Sequence, residues 1–272
     1  MEDTRSARPL SPNDTRLLEE IDSLKAHIRE LESRVDALSG RPRSGEERIH
    51  TAIEGFDEAL EGGIPRGHVI VVGGPSGTMK TSIALNLIHH NRSRIRGLYA
   101  SLEEGRDSLL KTMARLGMDG KDDFVVDIGR LRTEHETADE TRDWLQILKE
   151  YLVRRHEKDP FGLVVIDPVN SLYALANIES PRNELFHFFN FLRGLGLTAV
   201  LVTESESDLL PFPNHEDFLA DGAIQLRYAS NSSGRVELQI RCVKMRHTSH
   251  SRDWFRLDHE GKRFIARPVG AD

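Results

Sequence analysis

The chain has 272 residues, with 44 Asp and Glu against 37 Lys and Arg, and a formal net charge of −7. This acidity argues against general nucleic-acid binding but leaves room for a local basic patch. The single cysteine, Cys242, excludes an internal disulfide and fits a reducing, cytoplasmic setting. No apolar run reaches the roughly 18 residues of a membrane span, and the first residues lack the apolar core of a signal peptide.

The N-terminal part divides into three segments by composition. Residues 1–13 are polar with two prolines, and we expect them to be disordered. Residues 14–38 carry Leu17, Leu24, Leu31 and Leu38 at the d positions of a heptad and Ile21, Ile28 and Val35 at a positions, which favours a parallel two-stranded coiled coil. An amphipathic helix packed on its own domain is the alternative. The coiled coil predicts pairing of subunits or docking of a partner protein. Residues 39–48 are typical of a linker, and 49–272 form the predicted globular domain.

The globular domain is organised around a glycine-rich turn. An apolar run, 68–72, precedes the sequence Gly-Gly-Pro-Ser-Gly-Thr-Met-Lys-Thr-Ser over 73–82, and a helical run follows over 83–88. This is the layout of a phosphate-binding loop, in which backbone N–H groups and a helix N-terminus surround phosphate oxygens. Lys80 is expected to reach the β- and γ-phosphates, and the Thr81 hydroxyl to bind Mg²⁺. A glycine-rich turn that binds nothing is the alternative.

Strands and helices alternate after this loop. The pattern predicts strands over 97–102, 124–128, 162–167 and 198–203, and helices over 108–116, 141–156 and 183–192. Such alternation predicts an α/β fold with a mostly parallel sheet flanked by helices, which binds ligands at the carboxyl ends of its strands. Short segments over 223–228, 235–244, 254–257 and 264–267, separated by turn signals, predict C-terminal antiparallel hairpins that extend the sheet.

Charged residues follow several predicted strands. Asp167 ends an apolar strand, where a carboxylate in a phosphate-loop protein holds Mg²⁺; a strand-end Asp that begins a turn is the alternative. Glu103 and Glu104 end the strand after the loop, and hydrolysis needs a carboxylate that orients and deprotonates water; a solvated pair is the alternative. The basic stretch 244–250 fits either cationic contacts to a phosphate or an exposed strand edge.

Together these stretches resemble the KaiC-like branch of the RecA-fold ATPases, which includes the archaeal RadA-type recombinases and the archaellum ATPase-like protein FlaH. The most specific match is Lys-Met-Arg-x-Thr-x-His over 244–250. The other matching stretches occur in the family's order, cover about residues 49–267, and are 55–57 with 62–67, the phosphate loop, 101–104, 164–167 and 217–222.

The resemblance implies a RecA-like P-loop NTPase that binds ATP and Mg²⁺ between the subunits of a homo-oligomeric ring, with a hexamer expected. It implies catalytic roles for Glu103, Glu104, Lys80, Lys244 and Arg246, and Mg²⁺ binding by Thr81 and Asp167. The implied nucleotide-binding residues are Gly74, Ser76, Gly77, Thr78, Met79, Lys80, Thr81 and Ser82 in the loop. Across the subunit interface they are Arg115, Lys244, Met245, Arg246, Thr248 and His250.

Three positions depart from the family's pattern: Met79 replaces a glycine, Pro168 a small hydroxyl residue, and His247 a glycine. The chain carries one ATPase unit, so the autophosphorylation of the duplicated clock protein is not carried over. The leading functional prediction is a slowly hydrolysing ring protein that acts as a nucleotide-dependent regulator or signalling scaffold. A recombinase paralogue that binds single-stranded DNA is one alternative, and the net acidity argues against it. A non-hydrolysing ATP-sensing scaffold is another, and Met79 favours it.

Overall fold

The computed structural model describes residues 47–118, 124–129, 144–175, 181–231 and 233–270. The predicted tail, coiled coil and most of the predicted linker lie outside the described residues, so those predictions stay predictions. Within the described part, the residues form a ten-stranded sheet and a separate two-stranded sheet.

The strands, in chain order, are β1 Arg48–Ile49, β2 Ile53–Glu54, β3 Ile64–Pro65, β4 Val69–Gly74, β5 Gly97–Ser101, β6 Val125–Asp127, β7 Leu163–Asp167, β8 Thr198–Glu204, β9 Gly222–Ser230, β10 Val236–Met245, β11 Phe255–Glu260 and β12 Arg263–Pro268. The helices are α1 Lys80–Asn91, α2 Arg106–Arg115, α3 Trp144–Lys158, α4 Asn170–Leu175, α5 Pro181–Gly194 and α6 Glu216–Leu219. A single 3-10 turn, Glu58–Leu60, precedes β3.

The large sheet has the order β2-β12-β11-β10-β9-β4-β8-β7-β5-β6. Strands β4 to β8 pair in parallel, and β9 also runs parallel to β4. Strands β9 to β12 form antiparallel pairs, and β2 joins β12 in parallel. This arrangement confirms the predicted α/β class, with a mostly parallel sheet and C-terminal hairpins.

The central strands read as continuous apolar runs because helices cover both faces of the sheet. Every residue of β4 and β7 is buried. Since alternate side chains point to opposite faces, Ile70 and Val72 enter one hydrophobic cluster with α1, whereas Val69 and Val71 enter a second with α5. The carboxyl ends of β4, β5, β7 and β8 consequently meet at one edge of a rigid sheet.

The folded part includes the last residue of the predicted linker. Arg48 lies in β1 and pairs with Pro65 of β3, and the backbone N–H of Arg66 donates to the carbonyl oxygen of Glu47. The sequence did not predict β1, because a strand of two residues is too short to produce a recognisable pattern.

Candidate functional site

The glycine-rich turn connects the end of β4 to the start of α1. Gly74 is required there, because a Cβ at this position would lie 2.5 Å from a backbone oxygen of β9. The buried hydroxyl of Thr78 donates to the carbonyl oxygen of Pro75 at 2.7 Å and closes the turn. From β9, the hydroxyl of Tyr228 donates to the carbonyl oxygen of Gly77 at 2.8 Å. The outer loop, including Ser76, is exposed.

Met79, the residue that replaces glycine, adopts the left-handed conformation that glycine would favour. Its φ is 62° and its ψ is 22°. This region costs a residue with a Cβ about 1–2 kcal/mol. The Met79 side chain is partly buried against the hydrophobic cluster below α1, and this contact offsets part of the strain. The substitution therefore leaves position 79 in a backbone conformation that a glycine could also adopt.

Lys80 is the first residue of α1, and its side chain folds back under the loop. Its Nζ lies 2.9 Å from the carbonyl oxygen of Gly74 and 2.8 Å from that of Pro75. Glu204, at the end of β8, places a carboxylate oxygen 3.6 Å from the same nitrogen. Burial lowers the pKa of Lys80, and the charges of Glu204 and Asp167 oppose this shift. The ammonium group is thus held inside the turn that would surround phosphates. Ser82 lies in the first turn of α1.

The side chains of Thr81 and Asp167, which lie 86 positions apart in the chain, are in direct contact. The Thr81 hydroxyl donates to Oδ2 of Asp167 at 2.7 Å. The hydroxyl of Tyr99, which is fully buried in β5, donates to the same oxygen. Tyr99 was not predicted as a site residue, since its place in an apolar strand made it a core residue. It fixes the orientation of the Asp167 carboxylate.

Burial raises the pKa of Asp167, while hydrogen bonds from Tyr99 and Thr81 and the charge of Lys80 act in the opposite direction. A hydroxyl oxygen and a carboxylate oxygen are hard ligands of the type that Mg²⁺ prefers, usually completed by water and phosphate oxygens. A carboxylate that has lost part of its hydration is also stabilised in its charged form by a nearby cation. The donor set of Thr81 and Asp167 therefore fits Mg²⁺.

Glu103 and Glu104 follow β5, beside the end of β7. The Ser171 hydroxyl of α4 donates to a carboxylate oxygen of the exposed Glu103. Glu104 is held more firmly, because its carboxylate accepts from the Ser108 hydroxyl at 2.6 Å and its backbone oxygen from the Ser101 hydroxyl at 2.5 Å. A hydroxyl thus positions each carboxylate, and Glu103 is the more exposed of the two residues.

Asn170 ties the site's strand ends together. Its side-chain oxygen accepts from the Thr203 hydroxyl at 3.0 Å and from the backbone N–H of Glu204 at 2.7 Å. Its amide nitrogen donates to the carbonyl oxygen of Glu204 at 3.1 Å. The adjacent Ser171 donates to the Glu103 carboxylate, so one short helix, α4, holds that carboxylate and the backbone of Glu204.

The basic stretch lies elsewhere, at the end of β10, on the edge of the sheet where β4 begins. We call residues 246–250 the finger loop. Lys244 Nζ donates to the carbonyl oxygens of Asp217 at 3.0 Å and Ala220 at 2.8 Å. Burial lowers the pKa of Lys244, and the charge of Arg246 acts in the same direction. Two of its three N–H donors are thus used within its own subunit.

Arg246 is half exposed and is oriented by Asp221. Its Nη1 donates to Oδ1 of Asp221 at 2.7 Å, while Oδ2 accepts from Arg193 Nε and the Val69 backbone N–H, each at 3.0 Å. Burial alone would raise the pKa of Asp221. Hydrogen bonds and charges from Arg193, the Val69 amide and Arg246 outweigh that effect and hold it below its usual value.

The remaining predicted residues occupy different positions. Met245 is 5% exposed and packs in the core of its own chain against Gly222, and its predicted contact with a neighbour's nucleotide stays a prediction. The Thr248 hydroxyl accepts from Arg48, and His250 Nδ1 contacts the Ser251 carbonyl oxygen. Arg115 is exposed at the far end of α2, about 14 Å along the helix from its first residue, Arg106. The described chain therefore presents two separate clusters, the loop and the finger loop.

No helix among the described residues is long and apolar enough to cross a membrane. In the same part of the chain, no group of three or more His, Cys, Asp or Glu side chains is placed to hold a metal ion. His247 and His250 accordingly form no metal site of that kind.

Comparison with known proteins gives a consistent result. The model of the family "ATPase: KaiC" matches residues 49–261. Circadian clock oscillator protein KaiC 1 of Synechocystis sp. is 28% identical over 246 residues, covering 85% of this chain and 46% of that protein. The KaiC of Rippkaea orientalis is 29% identical over 240 residues, with coverages of 84% and 45%. The chain thus spans about half the length of these curated relatives.

A solved structure supports the same assignment. The crystal structure of a KaiC-like protein from the archaeon Pyrococcus horikoshii matches with a TM-score of 0.68 and 25% identity, covering 82% of this chain and 99% of that one. The phosphate loop, the Thr81–Asp167 pair and the sheet topology agree with these similarities. The chain belongs to the KaiC ATPase family and is a nucleotide-binding, RecA-fold P-loop protein.

Proposed function

We propose that this protein is a slow, Mg²⁺-dependent ATPase that assembles into a ring, with a hexamer as the expected form, and uses its nucleotide state to regulate a partner. The observation that carries the proposal is the 2.7 Å contact between Thr81 and Asp167 beside a buried Lys80. A phosphate-binding lysine, a hydroxyl and a strand-end carboxylate are the elements that P-loop enzymes use to position a triphosphate.

The charged residues at the loop have different expected roles in binding Mg²⁺ and ATP. Lys80 would exchange its contacts with the Gly74 and Pro75 carbonyl oxygens for the oxygens of ATP, with the backbone N–H groups of the loop beside it. Bound Mg²⁺, held by Thr81 and Asp167, would neutralise negative charge on the phosphates. Tyr99 keeps the Asp167 carboxylate turned towards Thr81.

Glu103 is the residue best placed to act on water. Its carboxylate is exposed at the loop edge of the sheet and is oriented by Ser171. It would accept a hydrogen bond from the attacking water and receive its proton. Glu104, whose carboxylate accepts from Ser108, is expected to contribute electrostatically, so its removal should cost less than removal of Glu103.

The finger loop would complete the site of a neighbouring subunit. Arg246 is half exposed, and its guanidinium donates to the Asp221 carboxylate. That carboxylate also accepts from the Arg193 side chain and from the Val69 backbone N–H, which fix its position. A planar, permanently charged group of this kind stabilises charge on a transferring phosphoryl group. Lys244, whose ammonium is partly used by two backbone carbonyl oxygens, is expected to make the smaller contribution.

A second candidate function is a nucleotide-sensing scaffold that binds ATP without turnover. The left-handed Met79 is the observation that favours it, because a side chain at this position narrows the freedom of the loop. Both candidates predict ATP binding, and they differ in hydrolysis.

The test is steady-state ATP hydrolysis by the full chain beside Glu103→Gln, with Glu104→Gln as the matched control, with and without single-stranded DNA. We expect slow turnover that DNA does not change, a fall of about 100-fold in Glu103→Gln and a smaller fall in Glu104→Gln. Tight ATP binding without turnover would support the scaffold instead. Strong DNA stimulation with a steep salt dependence would support the recombinase paralogue.

A further inference from the structure

Arg48 connects the start of the folded domain to the finger loop, which lies 200 positions later in the chain. Its Nη1 donates to the Thr248 hydroxyl at 3.0 Å, and Nη2 lies 3.5 Å from the His247 carbonyl oxygen. The Arg48 side chain is 18% exposed. It therefore contacts the finger loop one and two residues after Arg246.

The same guanidinium group is anchored on its other side. Nη1 also lies 3.1 Å from the carbonyl oxygen of Leu60 and 2.9 Å from that of Gly63, and Nη2 lies 3.3 Å from a carboxylate oxygen of Glu61. These acceptors belong to the turn that leads into β3. Arg48 thus connects this turn to the finger loop. A shorter side chain, or one without the several N–H donors of a planar guanidinium, could not contact both.

The finger loop needs such a support in its middle. Its two ends are held by the backbone, since the Arg246 N–H donates to the Asp221 carbonyl oxygen at 2.8 Å and the Ser251 N–H to that of Ala59 at 3.0 Å. Between these points His247 adopts φ 55°, a left-handed conformation that is uncommon for a residue with a side chain. The Arg48 contacts fall on the residues where the backbone is least favourable.

The backbone of Arg48 is held in place as well as its side chain. Backbone pairing of β1 with β3 fixes Arg48 beside Pro65, and Glu47 is linked to Arg66 through both backbone and side chains. The guanidinium therefore contacts the finger loop from a fixed strand.

We propose that Arg48 is a positioning residue for Arg246, and that it thereby supports ATP hydrolysis at the neighbouring subunit's site. This inference rests on the proposed function, because it requires Arg246 to act on ATP. It assigns Arg48 no contact with nucleotide.

The first experiment compares Arg48→Ala and Arg48→Lys with the control Arg263→Ala in the full chain. Arg263 is an exposed arginine in β12, and its described ion pair is with Glu54 rather than with the finger loop. Hydrogen exchange should become faster at residues 246–251 in both Arg48 variants and stay unchanged in Arg263→Ala. Unchanged exchange in both Arg48 variants would overturn the proposal, whether or not the protein hydrolyses ATP.

The second experiment measures kcat and KM for ATP. We expect Arg48→Ala to lower kcat about tenfold with little change in KM, because misplacement of a group that acts in the transition state affects turnover. Arg48→Lys should restore little of it. In the Arg246→Ala background, Arg48→Ala should cause less than a twofold further loss, since both changes remove one interaction.

The outcomes separate the two proposals. Hydrogen exchange could become faster while the Arg48→Ala and Arg246→Ala losses in kcat multiply fully in the double variant. That result would overturn the positioning role, because Arg48 would then act independently of Arg246. Wild-type turnover in Arg246→Ala would instead refute the finger role in the proposed function, while hydrogen exchange would still decide whether Arg48 holds the loop. Arg48→Lys serves the same tests if Arg48→Ala does not fold.

Discussion

Replacement of Met79 provides a test of the loop's backbone conformation. Met79 is the N-cap residue of α1, so the preference of a helix interior for alanine over glycine does not apply to it. At a φ of 62°, alanine keeps the steric cost of about 1–2 kcal/mol that glycine avoids, and glycine loses about 0.5–1 kcal/mol through the greater freedom of the unfolded chain. The difference favours Met79→Gly over Met79→Ala by about 0.5–1 kcal/mol.

Comparison of these two variants cancels the loss of the Met79 side chain, which packs against the core in the wild type. The measurement is urea unfolding, with thermal unfolding as a second readout, at one protein concentration and without nucleotide, since bound ligand would add its own stabilisation. A difference of this size corresponds to about 1–4 °C in Tm for a domain of this length. If Met79→Ala is as stable as Met79→Gly or more stable, the left-handed conformation of this residue is refuted.

Three further perturbations test the site and its supports. Asp167→Asn, or removal of Mg²⁺ by chelation, should lower ATP turnover at least tenfold, and a chelated wild type that matches the untreated enzyme would contradict the Thr81–Asp167 assignment. Asp221→Asn should lower the unfolding free energy by about 1–3 kcal/mol near neutral pH. Because the folded-state pKa of Asp221 is depressed, the stability that it contributes is present above the unfolded-state pKa of about 3.9 and is lost as the pH falls through the lower folded-state pKa. The unfolding free energies of the wild type and the variant should therefore converge in acid. Gly74→Ala should abolish ATP binding, since its Cβ would lie 2.5 Å from a backbone oxygen, whereas the control Gly105→Ala, with 3.7 Å to the nearest atom, should bind normally; equal binding by the two would contradict the loop's close packing.

The grouping of the loop residues with Asp167 was predictable, because the topology of the sheet alone places them near one another. Lys80 and Thr81 are marked by the loop motif, and Asp167 by its place after an apolar strand. In a parallel sheet the carboxyl ends of neighbouring strands share one edge. The observed contact between Thr81 and Asp167 follows from that rule without knowledge of side-chain positions. The antiparallel hairpins were likewise predictable from short strands and turn residues.

The supporting interactions were not predictable, because they depend on register and on contacts between distant segments. Tyr99 looked like a core residue until the pairing of β5 with β7 placed its hydroxyl beside Asp167. Arg48 contacts Thr248 across 200 positions, through strands too short to leave a pattern. Met245 and Lys244 lie in a motif that the resemblance assigns to nucleotide contacts, yet burial and backbone hydrogen bonds hold both side chains within their own subunit.

The central claim is that two subunits share each ATP site, with Lys80 and Glu103 on one side and Arg246 on the other. The most direct test mixes two inactive variants, Glu103→Gln and Arg246→Ala, at equal amounts and allows subunits to exchange before ATP hydrolysis is measured. Shared sites predict recovery to about a quarter of wild-type turnover, because one junction in four pairs an intact loop with an intact finger when subunits join head to tail at random. Turnover in the mixture equal to the mean of the two variants, with exchange demonstrated by labelled subunits, would contradict the claim.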